Sequence, residues 1–321
     1  MTVQLYSPSE ALKPYVQRFL CIRADGSTDT MKPPADDIHF REGHHIQQLF
    51  PCWGILSFVC NSRARVQNKE IDHDCFLVGT ITQSIEVETL SGWFEALIVE
   101  FRPGGIRAFA DVDMMQIHET VFGSNDVDVV DLHPINDQVQ AIGATEEACK
   151  LVDNWLCSLI NITDPIRMKG IIQTTAAAEE RHCKILVGEM SAIACLSERQ
   201  FSRSFRSYVG LTPKEFLRML RWQMTIRHMQ QIARNNQMID YQEIALHMGY
   251  YDLSHMAMDF RAIGCTTPAN FRQLGIPLTE DFTVLFGQEN EVYLSIHIIY
   301  TDFLQKKQQI RSFLPILASN R

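Results

Sequence analysis

The 321-residue chain has no C-x-x-C pair: its nine cysteines are scattered, which excludes a zinc ribbon and a dense disulfide framework. It has no apolar run approaching the roughly 20 residues that a membrane-spanning helix needs. It has no overall positive charge: a net charge of −9 argues against an indiscriminate binder of polyanions. No nucleophile–base set stands out. Gly104-Gly105 lacks the third glycine and the lysine of a phosphate cradle, so it reads as a turn. His44-His45, Cys52, Cys60, His73 and Cys75 invite a metal reading, but adjacent histidines on a strand point to opposite faces. Catalytic residues, cofactor and metal are therefore all expected to be absent. The scattered thiols are expected to be reduced and the protein cytoplasmic, with no membrane contact.

What is present is uneven. Residues 184–275 hold 11 Lys and Arg against 7 Asp and Glu, whereas residues 1–183 hold 14 against 26. A basic segment on an acidic body suits local contact with phosphates, because such contacts depend on local potential. Over residues 46–101, β-branched and aromatic runs alternate with turn residues, which predicts short antiparallel strands in a sandwich or barrel. Ser9 is placed to start a short helix through Tyr15. Helical patterns follow around 105–117, 134–160 and 164–176. From about 180 to 275 the pattern is wholly α. The fold class is thus α+β, divided into 1–178, a β-rich sensor or dimerisation domain; 179–275, an all-α domain; and 276–321, an extension with strand-like and amphipathic stretches.

The all-α segment carries an internal repeat. Ser197 and Gln200 form a capping-box pair before Phe201, Phe205 and Tyr208, which give one apolar helix face. The opposite stripe is Arg199, Ser202, Arg203 and Arg206. The second copy has Gly249-Tyr250-Tyr251-Asp252, a helix over 253–263, and Phe260. Phe205 precedes Pro213 by eight residues, as Phe260 precedes Pro268. Helix, tight turn and capped helix make a helix-turn-helix, whose second helix reads the major groove. Between the copies, 213–233 forms one long amphipathic helix of about 30 Å, close to one turn of B-DNA at about 34 Å. The residues placed against DNA are Arg199, Gln200, Ser202, Arg203 and Arg206 in the first unit, and Ser254, His255, Ala257, Met258 and Arg261 in the second.

At these residues the chain resembles the AraC/XylS family of bacterial transcription regulators. The matching run is Ser197-x-Arg199-Gln200-Phe201-Ser202-Arg203-x-Phe205, with Gly210-x-Thr212-Pro213 and Gly249-Tyr250-Tyr251-Asp252-x-Ser254-His255. Leu5-Tyr6-x-Pro8, Tyr15-Val16-x-x-Phe19 and Phe101-Arg102-Pro103-Gly104-Gly105 are similar to the β-rich sensor domains of some such regulators. The resemblance implies two helix-turn-helix units on a long linker helix, double-stranded DNA and RNA polymerase as partners, a small-molecule effector of unknown identity, and a homodimer. It also sharpens two departures. Cys195 stands where the family has a turn glycine, at a backbone position that commonly has φ > 0, and is expected to strain or remodel that turn. Met258 stands where an arginine is usual, which removes one polar contact from the second unit. Two other readings remain open: a degenerate family member acting through protein contacts, and a small-molecule enzyme fused to a regulator.

Overall fold

The structure is a computed structural model that describes residues 2–25, 45–49, 53–66, 69–82, 85–90, 93–126, 131–235, 238–264, 267–268 and 292–293. Ten strands open the chain: β1 Thr2–Tyr6, β2 Val16–Asp25, β3 His45–Leu49, β4 Ile55–Cys60, β5 Arg63–Val66, β6 Lys69–Asp72, β7 Cys75–Val78, β8 Ile85–Thr89, β9 Trp93–Phe101 and β10 Val121–Gly123. With β11 Val292–Tyr293 they form two antiparallel sheets, ordered β10-β7-β4-β9-β2-β1-β11 and β3-β8-β5-β6.

The larger sheet is buried on both faces, and strand alternation divides its residues between two cores. Leu20 and Ile22 of β2, Ile55 and Val59 of β4 and Ala96 of β9 face the smaller sheet, together with Ala64, Val66 and Ile71. Their neighbours Phe19, Cys21, Leu56, Phe58, Leu97 and Val99 face the helices. All six residues of β4 are buried for this reason. The expected sandwich is therefore present, with a helical layer added on its outer face. Arg18 and Glu100 sit on neighbouring strands of this sheet as a largely buried ion pair at 2.6 Å.

Among the described residues eight helices follow: α1 His133–Ile142, α2 Glu146–Leu159, α3 Pro165–Glu180, α4 Val187–Ile193, α5 Glu198–Val209, α6 Pro213–Arg234, α7 Tyr241–His247 and α8 Leu253–Gly264. Three local expectations need correction. The pattern at 105–117 yields only a 3-10 turn, Gly105–Ala108, followed by irregular chain. The stretch 134–160 is two helices, because the chain breaks at Gly143, whose φ is 78°. Residues 9–15 form turns rather than a helix, and the strip from Val16 onward is strand β2, paired on both edges. The boundary drawn at 178/179 lies within the last turn of α3. In the 276–321 segment only Val292–Tyr293 is described, as the strand pairing with β1.

A single apolar cluster runs from the β domain into the first half of the helical segment. It joins Phe19, Trp53, Phe58 and Phe101 to Phe201, Phe205, Tyr208, Phe216 and Leu220. Within it the ring of Trp53 lies 5.0 Å from that of Phe216, which lies 5.2 Å from Phe205, itself 5.3 Å from Phe201. A separate cluster holds Trp222, Ile226 and Met229 of α6 with Ile244, Ala245, Met256, Phe260 and Ile263. Cys60, Cys75 and Cys183 are free, buried thiols, each pushed up by burial to about 12, so they stay protonated and unreactive at neutral pH. Trp53→Ala is expected to lower the free energy of unfolding by about 3 kcal/mol, the usual scale for emptying a buried aromatic site. Tyr251→Ala, at an 86% exposed side chain, should change it by less than about 0.5 kcal/mol. Urea unfolding of the two variants checks both.

Candidate nucleic-acid interface

The two helix-turn-helix units are copies in backbone as well as in pattern. Helices α4 and α7 both have seven residues and begin at 187 and 241; α5 and α8 both have twelve and begin at 198 and 253. Their turns carry the same hydrogen bonds. In the first, Ala194 N donates to Met190 O, Cys195 N to Ala192 O and Leu196 N to Ser191 O; in the second, Met248 N donates to Ile244 O, Gly249 N to Leu246 O and Tyr250 N to Ala245 O. The last bond of each set closes the loop that ends a helix on a left-handed residue. That residue is Cys195 at φ 54° in one copy and Gly249 at φ 77° in the other. Cys195 thus leaves the turn in its usual shape and accepts the strain.

The recognition helices are capped as expected, with one elaboration each. Ser197 Oγ accepts from Gln200 N at 3.4 Å, and Gln200 Oε1 accepts from Ser197 N at 3.3 Å. The Gln200 side chain is therefore turned back onto the cap, which limits what its amide oxygen can offer DNA. In the second unit Asp252 Oδ1 accepts from His255 N at 2.7 Å. His255 Nδ1 in turn accepts from Tyr251 N at 3.4 Å.

Burial sorts the remaining side chains. Phe201, Phe205 and Tyr208 are buried on α5, as are Met256, Phe260 and Ile263 on α8. Arg199, Arg203 and Arg206 are exposed, as are Ser254, His255, Met258 and Arg261, while Ser202 and Ala257 are half-buried. All ten predicted residues thus fall on the faces of α5 and α8 turned away from the cores. Arg206 reaches the β domain: its Nε lies 3.4 Å from Met115 Sδ.

Helix α6 sets the relation between the units. At 22 residues it is about 33 Å long. Its first half, with Phe216, Leu217 and Leu220, belongs to the large core, and its second half, with Trp222, Ile226 and Met229, to the small one. Arg218 Nε donates to Asp259 Oδ1 at 2.6 Å, fixing α8 to the first half of α6 through a carboxylate that is 3% exposed. Trp222 meets Phe260 edge-on at 6.1 Å.

Two groups of residues at this interface have no signal in the repeat. The C-terminal carbonyls of α5, which a helix cannot satisfy itself, are taken by the β domain. Met114 N donates to Ser207 O at 2.9 Å, and Thr80 Oγ1 donates to Val209 O at 2.6 Å. Arg107 lies over the Tyr208 ring at 4.5 Å. The other is Tyr251. The second copy has one more residue than the first between its turn and its helix, and Tyr251 there is 86% exposed. Among the described residues no group of three or more His, Cys, Asp or Glu gathers as metal ligands would. His44, Cys52, Cys265 and Phe271 lie outside the described residues. No described helix is long and apolar enough to cross a membrane.

The shared turn yields a paired prediction. Cys195→Gly should stabilise the protein by about 1 kcal/mol, and Gly249→Ala should destabilise it by about as much. A Cβ at 249 would meet nothing within 4 Å, so the cost there is the backbone's alone. Thermal unfolding of both variants checks the signs. The second core also predicts a pH dependence. His228 of α6 stacks on His247 of α7 at 5.0 Å. Burial holds its pKa below the ordinary 6.5, and His247 adds repulsion that Glu243 opposes. The unfolded chain then binds a proton that the folded unit refuses. Stability is full above about pH 6.5 and is lost as the pH falls below it. Unfolding followed from pH 7.5 to 5.5 should show this fall, and His228→Gln should flatten it.

Comparison with known families agrees with this geometry. Residues 190–274 match the model for a Helix-turn-helix domain, and residues 4–122 match a Domain of unknown function (DUF6597). No curated protein matches the chain in sequence. Among solved structures it is similar to ToxT from Vibrio cholerae, at 11% identity, with 84% of this chain and 98% of that one covered and a TM-score of 0.45. It is also similar to ToxT bound to (E)-4-(8-methylnaphthalen-1-yl)but-3-enoic acid, at 12% identity, covering 84% and 98%, with a TM-score of 0.42. The duplicated turn-and-cap geometry lies within residues 190–274, the stretch that matches the helix-turn-helix model.

Proposed function

We propose that the protein regulates transcription from the cytoplasm by placing α5 and α8 in successive major grooves on one face of a specific duplex. The observation that carries this reading is the repetition of one turn-and-cap geometry at the two ends of a helix about 33 Å long. That length matches the roughly 34 Å repeat between like faces of B-DNA. Arg199, Arg203 and Arg206 on α5, and Arg261 on α8, neutralise phosphates; Ser202, Ser254, His255 and Ala257 lie within the same stripes to meet base edges. The acidic body lends no help, so affinity rests on this local charge. Residues 179–275 act as the reading domain, 1–178 as the sensing or dimerising domain, and 276–321 as an extension.

Control of this activity fits a cleft between the two parts. A cavity of about 200 Å³ lies between the β domain and helices α3 and α6. Lys13, Arg18 and Arg102 line it from one side and Glu179, Phe216 and Arg227 from the other. A small-molecule effector seated there would touch the sensor and the linker helix together, and would shift the population of DNA-competent arrangements. Dimerisation through the β domain and contact with RNA polymerase belong to the same reading.

The test is salt-dependent binding of the full chain to a genomic fragment that it enriches. Arg199→Ala with Arg203→Ala should weaken binding and make the slope of log K against log salt shallower by about 2, one counterion for each lost phosphate contact. An unchanged slope in fluorescence anisotropy rejects their phosphate role. Failure to enrich any fragment at low salt rejects the regulator reading itself.

A further inference from the structure

The two recognition helices present different chemistry at equivalent positions. Aligning α5 on α8 by their first residues, 198 and 253, sets Arg199 against Ser254, Arg203 against Met258 and Arg206 against Arg261. The centre of the second reading stripe is thus a thioether chain, 63% exposed, where the first has a guanidinium. Just before the N-cap of α8 lies Tyr251, 86% exposed, in the residue position that the first unit lacks.

Single exposed apolar residues are common on protein surfaces and carry no meaning alone. Met258 differs in its placement. It is one turn along from Ser254 and one turn before Arg261, on the helix face opposite Met256, Phe260 and Ile263, which fill the second core. No acidic side chain of α8 shares that face. The one carboxylate of the helix, Asp259, is buried and paired with Arg218. The stripe is therefore apolar at its centre, polar at its start and cationic at its end. In a major groove the only apolar feature of the base edges is the 5-methyl group of thymine. A methionine suits it, being unbranched, polarisable and able to follow a methyl group over several rotamers.

We propose that the second unit selects its half-site by thymine methyl groups, with Met258 as the residue that determines the specificity and Tyr251 bordering the same contact, while the first unit reads and anchors its half through arginine. The operator is then asymmetric: one half tolerates loss of methyl groups and the other does not. This inference rests on the reading of the chain as a two-groove DNA binder, and the experiment separates the two.

The full-length protein selects duplexes from a random-sequence library, and the tightest serves as the probe. The half-sites are assigned by which one loses its footprint in Arg203→Ala. Each thymine is then replaced singly by deoxyuridine, which removes the methyl group and leaves the base pairing unchanged. At one or two positions under the second unit, wild-type binding should fall about fourfold, the effect of one buried methyl group; under the first unit it should not change. Met258→Ala should bind the thymine duplex as weakly as wild type binds the deoxyuridine duplex, and should no longer distinguish them. Met258 is exposed, so this variant keeps the core intact, and Met258→Arg should move the preference at that position toward guanine. Uniform indifference of wild type to deoxyuridine, or undiminished sensitivity in Met258→Ala, overturns the inference. A selected duplex protected over one half-site only also overturns it, and assigns the Met258 face to a protein partner. If no duplex is enriched above non-specific binding, the reading on which the inference rests has failed instead.

Discussion

The contact on which the arrangement depends is that of Phe216 with Trp53 on one side and Phe205 on the other. It makes the start of the linker helix part of the β domain's core. Aromatic pairs of this kind add about 0.5–1.5 kcal/mol beyond the area they bury, and here they form a chain across the junction. The consequence is that the first helix-turn-helix unit is not an independent module. Its recognition helix is shut off from the β domain at neither end: Phe201 and Phe205 enter the common core, and its last carbonyls are bonded by Met114 and Thr80. The second unit packs on the second half of α6. It keeps its own small core and reaches the rest through α6.

Much of this was legible in the sequence, and what was not legible has a common cause. Capping residues and turn lengths act locally, so Ser197, Gln200 and Asp252 announced both recognition helices. The arginine stripe of α5 followed from helical spacing, the second unit's candidates from the motif resemblance, and none of the ten is buried. The β domain was legible as strands where turns separated them, but β2 was not, because its two faces serve two cores and it shows no alternation of polar and apolar residues. The linker helix was legible as a helix over 213–233, but its division between two cores was not: Phe216 and Leu220 serve one, Trp222 and Ile226 the other. The junction itself left no trace in the pattern. Trp53 reads as one more core residue of a strand-rich segment, and nothing local says that its partner lies 163 positions away.

The comparison of the two turns separates what the backbone needs from what the side chain supplies. Both turns end their first helix on a left-handed residue with the same three hydrogen bonds, and only one of them has the glycine that makes this easy. A Cβ that costs about 1 kcal/mol is tolerated at Cys195 because the surrounding contacts over-determine the turn. The first unit is braced by the β domain and by α3, and can carry such strain. The second, with a smaller core, keeps its glycine.

That difference in bracing bears on how a signal reaches DNA. A change in the β domain moves α5 directly, since they share a core. It reaches α8 only as motion of α6, transmitted through Arg218 and Asp259 and through Trp222 and Phe260. On the proposed function, the spacing of the two recognition helices is the variable that a signal at the β domain would alter. A shift of one turn of α6 at its N-terminal end, about 5.4 Å, would take the helices out of register with successive grooves while leaving each unit folded. The cleft lined by Arg18, Phe216 and Arg227 runs along α6 from its first turn to past its midpoint. Under the proposed function, control by register would use the shared core that joins the first unit to the β domain, which a flexible tether would not supply.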